Sequence, residues 1–304
     1  MTGNASLKVA VIGLGSMGFG IAGSLLRAGF AVVGYDPAAA ALQKFTALGG
    51  AVATSPAAAA QGADIAICVV VNAAQTEVAL FGPDGAATTL AGGGTILSCA
   101  TMSPDAARGL FARATDLGLG YLDAPISGGA AKAASGDMTV MASGLPAAFA
   151  HAKPVLDCIA AKVYDLGPDA GTGAAFKIVN QLLAGVHIAA ACEAITFAKG
   201  MGLDIAKVYE VITASAGNSW MFENRVPHIL DGDYSPRSAV SIFTKDLGIV
   251  SDIGRGLTLP TPIAATALQV FVMTAAAGMG RDDDASVARM LAGLSGLDLP
   301  GSPA

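Results

Sequence analysis

The sequence predicts an α/β N-terminal Rossmann domain, built on a mostly parallel, doubly wound sheet, followed by an all-α C-terminal domain. Three observations predict it. Residues 11–18 read Val-Ile-Gly-Leu-Gly-Ser-Met-Gly between an apolar β-type run and a helix-type run, the setting of a dinucleotide-binding turn. β-type and α-type segments then alternate as far as Asp165, as in strands joined by crossover helices. From Thr172 onwards the pattern is helical, with Ala/Leu/Ile stretches divided by Gly or Pro. The boundary is expected at Gly167-Pro168-Asp169, giving domains of 1–166 and 167–304.

Taken in order, strands are expected at Leu7–Ile12, Ala31–Tyr35, Ile65–Val71, Thr95–Ser98 and Tyr121–Ala124, with short ones at Met138–Met141 and Val163–Asp165. Helices are expected at Met17–Ala28, stopped by Gly29, and at Pro104–Leu117. Gly256–Gly280 carries no charge, but Pro260, Pro262 and Gln269 interrupt it, so it reads as a loop and then a buried helix. Asp282-Asp283-Asp284 precedes the last apolar run and reads as its N-cap.

In the turn, Gly13 permits the sharp bend, Gly15 lets a pyrophosphate approach the backbone, and Gly18 lets helix pack on strand. With Leu14, Ser16 and Met17 these residues would present N–H groups to the phosphates of NAD. The second β-type run ends in Asp36, at about the 20-residue distance expected of a ribose-binding carboxylate.

Composition narrows the classes. At 53% apolar and 13% charged residues, the 304-residue chain can fill large cores. A net charge of −6 without a basic cluster argues against nucleic acid or an anionic membrane as partner. The four cysteines stand singly in apolar runs, as in a reduced cytoplasmic protein. His151, His187 and His228 have no metal-ligand spacing, so no metal is expected.

Two further segments could carry chemistry. Lys177 and Asn180 are three apart on an expected helix that is apolar nearly all round. A buried lysine is pushed toward its neutral form and can exchange a proton near neutral pH; a surface lysine at a helix end is the equal alternative. Asp123-Ala124-Pro125-Ile126-Ser127-Gly128-Gly129 follows a strand end. There Ser127 offers a hydroxyl, and Gly128-Gly129 can expose N–H groups to an anion such as a carboxylate. A plain glycine-rich loop is the alternative.

These three motifs, in this order, resemble the β-hydroxyacid dehydrogenase family, which includes 3-hydroxyisobutyrate dehydrogenase and tartronate semialdehyde reductase. The resemblance covers nearly the whole chain. It implies an NAD-dependent oxidoreductase acting on a small hydroxy acid, with Lys177 as proton donor and acceptor. It also implies that Ser127, Gly128, Gly129 and Asn180 hold the substrate, that Thr101 lies by the nicotinamide, and that Lys245 reaches the cofactor. Taken alone, Thr101 reads as a residue at a helix start and Lys245–Asp246 as a solvated charge pair. The family serine before Thr101 is Ala100 here, so any contact from that serine is lost.

Gly217-Asn218-Ser219-Trp220-Met221-Phe222-Glu223-Asn224-Arg225, with His228–Tyr234 downstream, resembles the L-threonate dehydrogenase branch. The resemblance implies oxidation of L-threonate to 2-dehydro-L-erythronate. Tartronate semialdehyde reduction and 3-hydroxyisobutyrate oxidation are the alternatives using the same residues, and a catalytically idle dinucleotide sensor is the alternative of another class. The polar segment around Trp220 reads equally as a pocket wall for a polyhydroxy substrate and as a subunit contact, and His187 reads as a core histidine with the edge of a substrate pocket as the alternative. A cytoplasmic homodimer or homotetramer is expected.

Overall fold

The structure, a computed structural model, describes residues 7–301; the outer ends of the two expected domains, 1–6 and 302–304, lie outside the described residues. The chain divides into two compact units, to Lys177 and from Ile178. The division falls inside a helix whose first turn is hydrogen-bonded within the first unit.

The first unit runs β1 (Lys8–Ile12), α1 (Ser16–Arg27), β2 (Ala31–Tyr35), α2 (Ala39–Ala47), β3 (Ala51–Val52), α3 (Pro56–Ala60), β4 (Ile65–Cys68) and α4 (Ala73–Phe81). It continues with β5 (Thr95–Ser98), α5 (Pro104–Asp116), β6 (Gly120–Asp123), β7 (Ile126–Ser127), α6 (Gly129–Ser135), β8 (Met138–Gly144), α7 (Pro146–Ile159) and β9 (Ala160–Asp165). The sheet order is β3-β2-β1-β4-β5-β6-β8-β7, with β9 on β8. From β3 to β6 every pairing is parallel, and β8 is antiparallel to β6. This is the doubly wound architecture that the sequence predicts. Strand direction of growth reverses between β1 and β4, where open α/β sheets bind ligands.

Alternation along the strands builds the two cores. Val9, Val11, Ile65 and Ile67 enter a core with Ile21, Leu25 and Phe45, while Ala10, Ile12, Ala66 and Cys68 enter another with Ile96 and Tyr121. Period two puts neighbours on opposite faces, so both faces of a parallel sheet are covered.

Two expectations need correction, and two short strands were not foreseen. The strand expected to reach Val71 ends at Cys68, because Asn72 caps α4 and Val71 N–H turns to the Gln75 side chain. The two-residue strands β3 and β7 had no signal of their own. The last helix of Gly256–Gly280 is not buried: it starts at Pro262, and Ile263 stays 69% exposed while Ala264, Ala267 and Phe271 face the core.

The second unit holds most of α8 (Thr172–Gly200), then α9 (Ile205–Thr213), α10 (Trp220–Asp231), α11 (Val240–Gly256), α12 (Pro262–Thr274) and α13 (Ser286–Leu294). Its core gathers Ile188, Cys192, Ile195, Val226, Phe243, Leu247 and Phe271, with the rings of Phe243 and Phe271 stacked at 5.1 Å. Gly185 lets α8 and α11 approach, since a Cβ there would stand 2.9 Å from the Leu247 side chain. By length and composition α8 and the span Pro262–Met279 could each cross a membrane; half of the residues in the α8 window are buried within the protein.

The acidic run is not the N-cap that the sequence suggests: Ala285 takes that position, with no side-chain cap hydrogen bond, and the aspartates serve other partners. Asp283 accepts from His228 Nδ1 at 2.8 Å and from Arg237 N–H at 3.0 Å, as well as from Ala285 N–H near the start of α13. Asp284 takes Arg225 through Nε at 2.6 Å and Nη2 at 3.1 Å. Both aspartates are fully buried, which explains the partners: a buried carboxylate is costly unless paired and hydrogen-bonded.

Candidate active site

The carboxyl ends of the parallel strands carry the first group of candidate residues. Gly13 leaves β1 with φ +93°, and a Cβ there would stand 2.3 Å from Val69 O. At Gly18 a Cβ would stand 1.8 Å from Gly13 O, whereas Gly15 meets nothing within 4 Å. Glycine is therefore obligatory at two of the three positions, and the third leaves the backbone open to an approaching group. Among the described residues no side chain caps α1, so its first-turn N–H groups and positive end suit a phosphate. These features fit a dinucleotide.

Asp36 follows β2 directly, and its Oδ2 accepts the Leu14 N–H at 2.7 Å while Oδ1 accepts Ala38 N–H at 2.8 Å. The same carboxylate that is expected at the ribose thus braces the glycine turn. Thr101 follows β5, two residues before Ser103, whose hydroxyl accepts from Ala106 N–H and caps α5.

Ser127 sits in β7, paired with Thr139 of β8. Gly128 (φ 136°) and Gly129 (φ 77°) follow in conformations that L side chains avoid. The loop begins at the end of β6, on the same sheet edge as the glycine turn.

Lys177 is 7% exposed, which excludes a surface lysine at a helix end. The start of its helix is anchored to the first unit: Ala174 N–H donates to Asp123 Oδ2 at 2.7 Å, and Gly173 N–H donates to Ser143 Oγ at 3.0 Å. Burial pushes Asp123 up to about 6, opposed by the N–H groups of Ala174 and Gly171 and by the Ser143 hydroxyl. Asp123 and Ser143 are positioning residues that sequence reasoning missed. Asp123 opens the quoted loop motif, but nothing local marks it as the anchor of a helix some 50 residues on (51 for the Ala174 bond).

The second unit gathers the remaining candidates. Asn180 Nδ2 donates to Gln181 Oε1 at 3.0 Å, and Gln181 Nε2 donates to Asp246 Oδ2 at 2.5 Å. Lys245 Nζ pairs with Asp246 Oδ1 at 2.5 Å. Asp246 is fully buried, so Lys245–Asp246 is not a solvated charge pair. Gln181 was also missed, although its place one helical turn after Lys177 was a usable signal.

The polar groups near Trp220 are engaged locally. Asn218 Nδ2 donates to Thr213 O and to Glu223, Ser219 Oγ caps α10 by accepting from Phe222 N–H, and Asn224 accepts from Arg225. His187 lines a groove of about 830 Å³ in this unit with Phe197, Val211, Asn218, Ser219 and Phe222. Among the described residues no group of His, Cys, Asp and Glu could hold a metal ion. Burial pushes the Cys68 thiol up to about 12 and Cys99 and Cys192 higher still, which leaves them inert at neutral pH.

Known proteins resemble the chain along nearly its whole length. Residues 8–167 match the NAD binding domain of 6-phosphogluconate dehydrogenase, and residues 171–291 match the NAD-binding domain of NADP-dependent 3-hydroxyisobutyrate dehydrogenase. The chain is 52% identical to an L-threonate dehydrogenase of Cupriavidus necator, over 97% of this chain and 99% of that one. It is 48% identical to an L-threonate dehydrogenase of Haemophilus influenzae, over 96% and 97%. The crystal structure of a 3-hydroxyisobutyrate dehydrogenase from Salmonella typhimurium superposes with a TM-score of 0.89 at 48% identity, over 94% of this chain and 100% of that one. The chain is a member of the β-hydroxyacid dehydrogenase family, an NAD-dependent oxidoreductase.

Proposed function

We propose that the enzyme oxidises L-threonate at C2 to 2-dehydro-L-erythronate, with Lys177 as the general base. The observation that carries the chemistry is a lysine held at 7% exposure on a helix whose first turn is anchored by Asp123 and Ser143. The full-length identity of 52% to an L-threonate dehydrogenase supports the substrate. The glycine turn, Asp36 and Thr101 would hold NAD, which would supply the hydride acceptor, and the family resemblance assigns Lys245 to the same cofactor. Ser127 and the N–H groups of Gly128 and Gly129 take the carboxylate, and Asn180 orients the hydroxyl. Lys177 accepts the hydroxyl proton as the hydride leaves carbon, so the alcohol loses two electrons and becomes a ketone. In reduction Lys177 returns the proton to oxygen.

A second reading is oxidation of 3-hydroxyisobutyrate, favoured by the 48% identity to the Salmonella enzyme of that name. The two are separated by kcat/KM for each acid at saturating NAD, followed as NADH formation. L-Threonate is expected to be the better substrate, as the 52% identity to an L-threonate dehydrogenase supports. A higher value for 3-hydroxyisobutyrate overturns the threonate assignment and leaves the family intact. We place the enzyme in the cytoplasm, where its four unpaired cysteines stay reduced. It assembles there as a homodimer or homotetramer, as the exposed Phe197, Met201 and Val211 of the second unit favour.

A further inference from the structure

We propose that Asp246 is a positioning residue: its buried carboxylate sets the polarity of an amide relay through Gln181 to Asn180 and fixes Lys245 at the same time. The inference rests on the proposed roles of Asn180 and Lys245 and deepens them.

The relay has only one direction. A carboxylate accepts and cannot donate, so Gln181 must turn Nε2 toward Asp246 and Oε1 away from it. Oε1 in turn can only accept, so Asn180 gives it Nδ2. That leaves Asn180 Oδ1 as the outward group of the relay. An outward acceptor suits the hydrogen of a substrate hydroxyl and not the oxygens of a carboxylate. A neutral amide in place of the Asp246 carboxylate would remove this constraint, since either of its ends could face Gln181. The negative charge is also what holds the Lys245 ammonium in place, at an Nζ–Oδ1 distance of 2.5 Å. With Asp246 fully buried and Lys245 largely so, the pair is screened little by solvent. One anion thus orders the group that reads the substrate hydroxyl and the cation assigned to the cofactor.

Two variants of the full-length enzyme test this. Asp246→Asn keeps the shape and removes the charge; Gln181→Leu cuts the relay and leaves the Lys245–Asp246 pair intact. Melting temperature reports folding, NADH fluorescence titration gives Kd without turnover, and initial rates give kcat and KM for L-threonate. In Asp246→Asn, KM is expected to rise about tenfold or more, with NADH Kd rising several-fold. Gln181→Leu should raise KM similarly while NADH Kd stays within about twofold of wild type. A KM within about twofold of wild type in folded Asp246→Asn overturns the proposal, as does an unchanged KM in Gln181→Leu. If Asp246→Asn does not fold, Gln181→Leu decides by the same criterion. Should wild type prefer another hydroxy acid, that acid replaces L-threonate in the rates. The substrate assignment then fails on wild type alone, and the relay is still judged by its variants.

Discussion

Lys177 separates chemistry from cofactor binding. Its side chain lies outside the glycine turn proposed to take the phosphates, so Lys177→Ala should leave NADH Kd near the wild-type value. Loss of a general acid/base should depress kcat by about 10²–10⁴-fold. Retention of more than about a tenth of wild-type kcat in that variant would remove the lysine from the mechanism. Asp36 makes a second prediction at this scale. Its carboxylate already accepts from Leu14 and Ala38 N–H groups, and ribose hydroxyls can add donors to the same oxygens. A 2′-phosphate brings like charge, and no arginine follows in Pro37–Ala41 to receive it. NAD should therefore exceed NADP in kcat/KM by about tenfold or more, the equivalent of ~1.4 kcal/mol of repulsion. Comparable values would show that Asp36 does not select.

At the scale of the element, the start of α8 is where Lys177 is set in place. Gly173 permits the close approach: a Cβ would stand 2.4 Å from Asp123 O and 2.5 Å from Met141 O, both backbone atoms that cannot swing aside. Gly173→Ala should destabilise the first unit by about 1–3 kcal/mol and lower kcat, because the helix must shift with its lysine. Gly109→Ala is the control. It lies inside α5 with nothing within 4 Å of the added Cβ, so it should stabilise by about 0.5–1 kcal/mol at unchanged kcat. Equal melting temperatures and rates for the two variants would dispose of the docking argument. This anchor also shows where sequence legibility stopped. The glycine turn could be read because all its constraints lie within a few residues. The clamp on α8 could not, since sheet pairing brings Asp123 beside Ser143 and the start of α8 then docks on both from far along the chain. The strand end before Val71 is the opposite case: the cap at Asn72, which accepts from Gln75 N–H three residues on, is a local signal that turns the chain while apolar residues continue.

For the whole molecule, two units with separate cores make the order of elements legible, because strand alternation and helical runs are local patterns. The charge network of the second unit was not legible. Asp282–Asp284 looked like a helix cap, yet its partners Arg225 and His228 lie 59 and 55 residues away. The buried carboxylates set a pH profile that can be worked out by sign. Burial pushes Asp123 and Asp284 up to about 6, Asp284 in spite of Arg225. A carboxyl raised in the folded state binds its proton there before it does in the unfolded chain. Stability is then gained as pH falls from about 7 toward 4 and lost as pH rises through about 6, on the order of 2–3 kcal/mol per group. Asp283 runs the other way. Burial opposes its charge, but His228 and the N–H groups of Arg237 and Ala285 hold it below the usual carboxylate range. Its contribution is present above the unfolded value of about 3.9 and is lost as pH falls below it. Calorimetry should therefore find higher melting temperatures near pH 5 than at pH 7, with a fall below about pH 4. Asp123→Asn and Asp284→Asn should each flatten the rise between pH 7 and 5, and Asp283→Asn should flatten the acid fall. Asp283→Asn should also lower stability at neutral pH by about 3–5 kcal/mol, the cost of breaking one partner out of a buried pair. A melting temperature that climbs steadily from pH 5 to 7 in wild type would mean that Asp123 and Asp284 ionise in the ordinary range, and that their burial is offset by their partners.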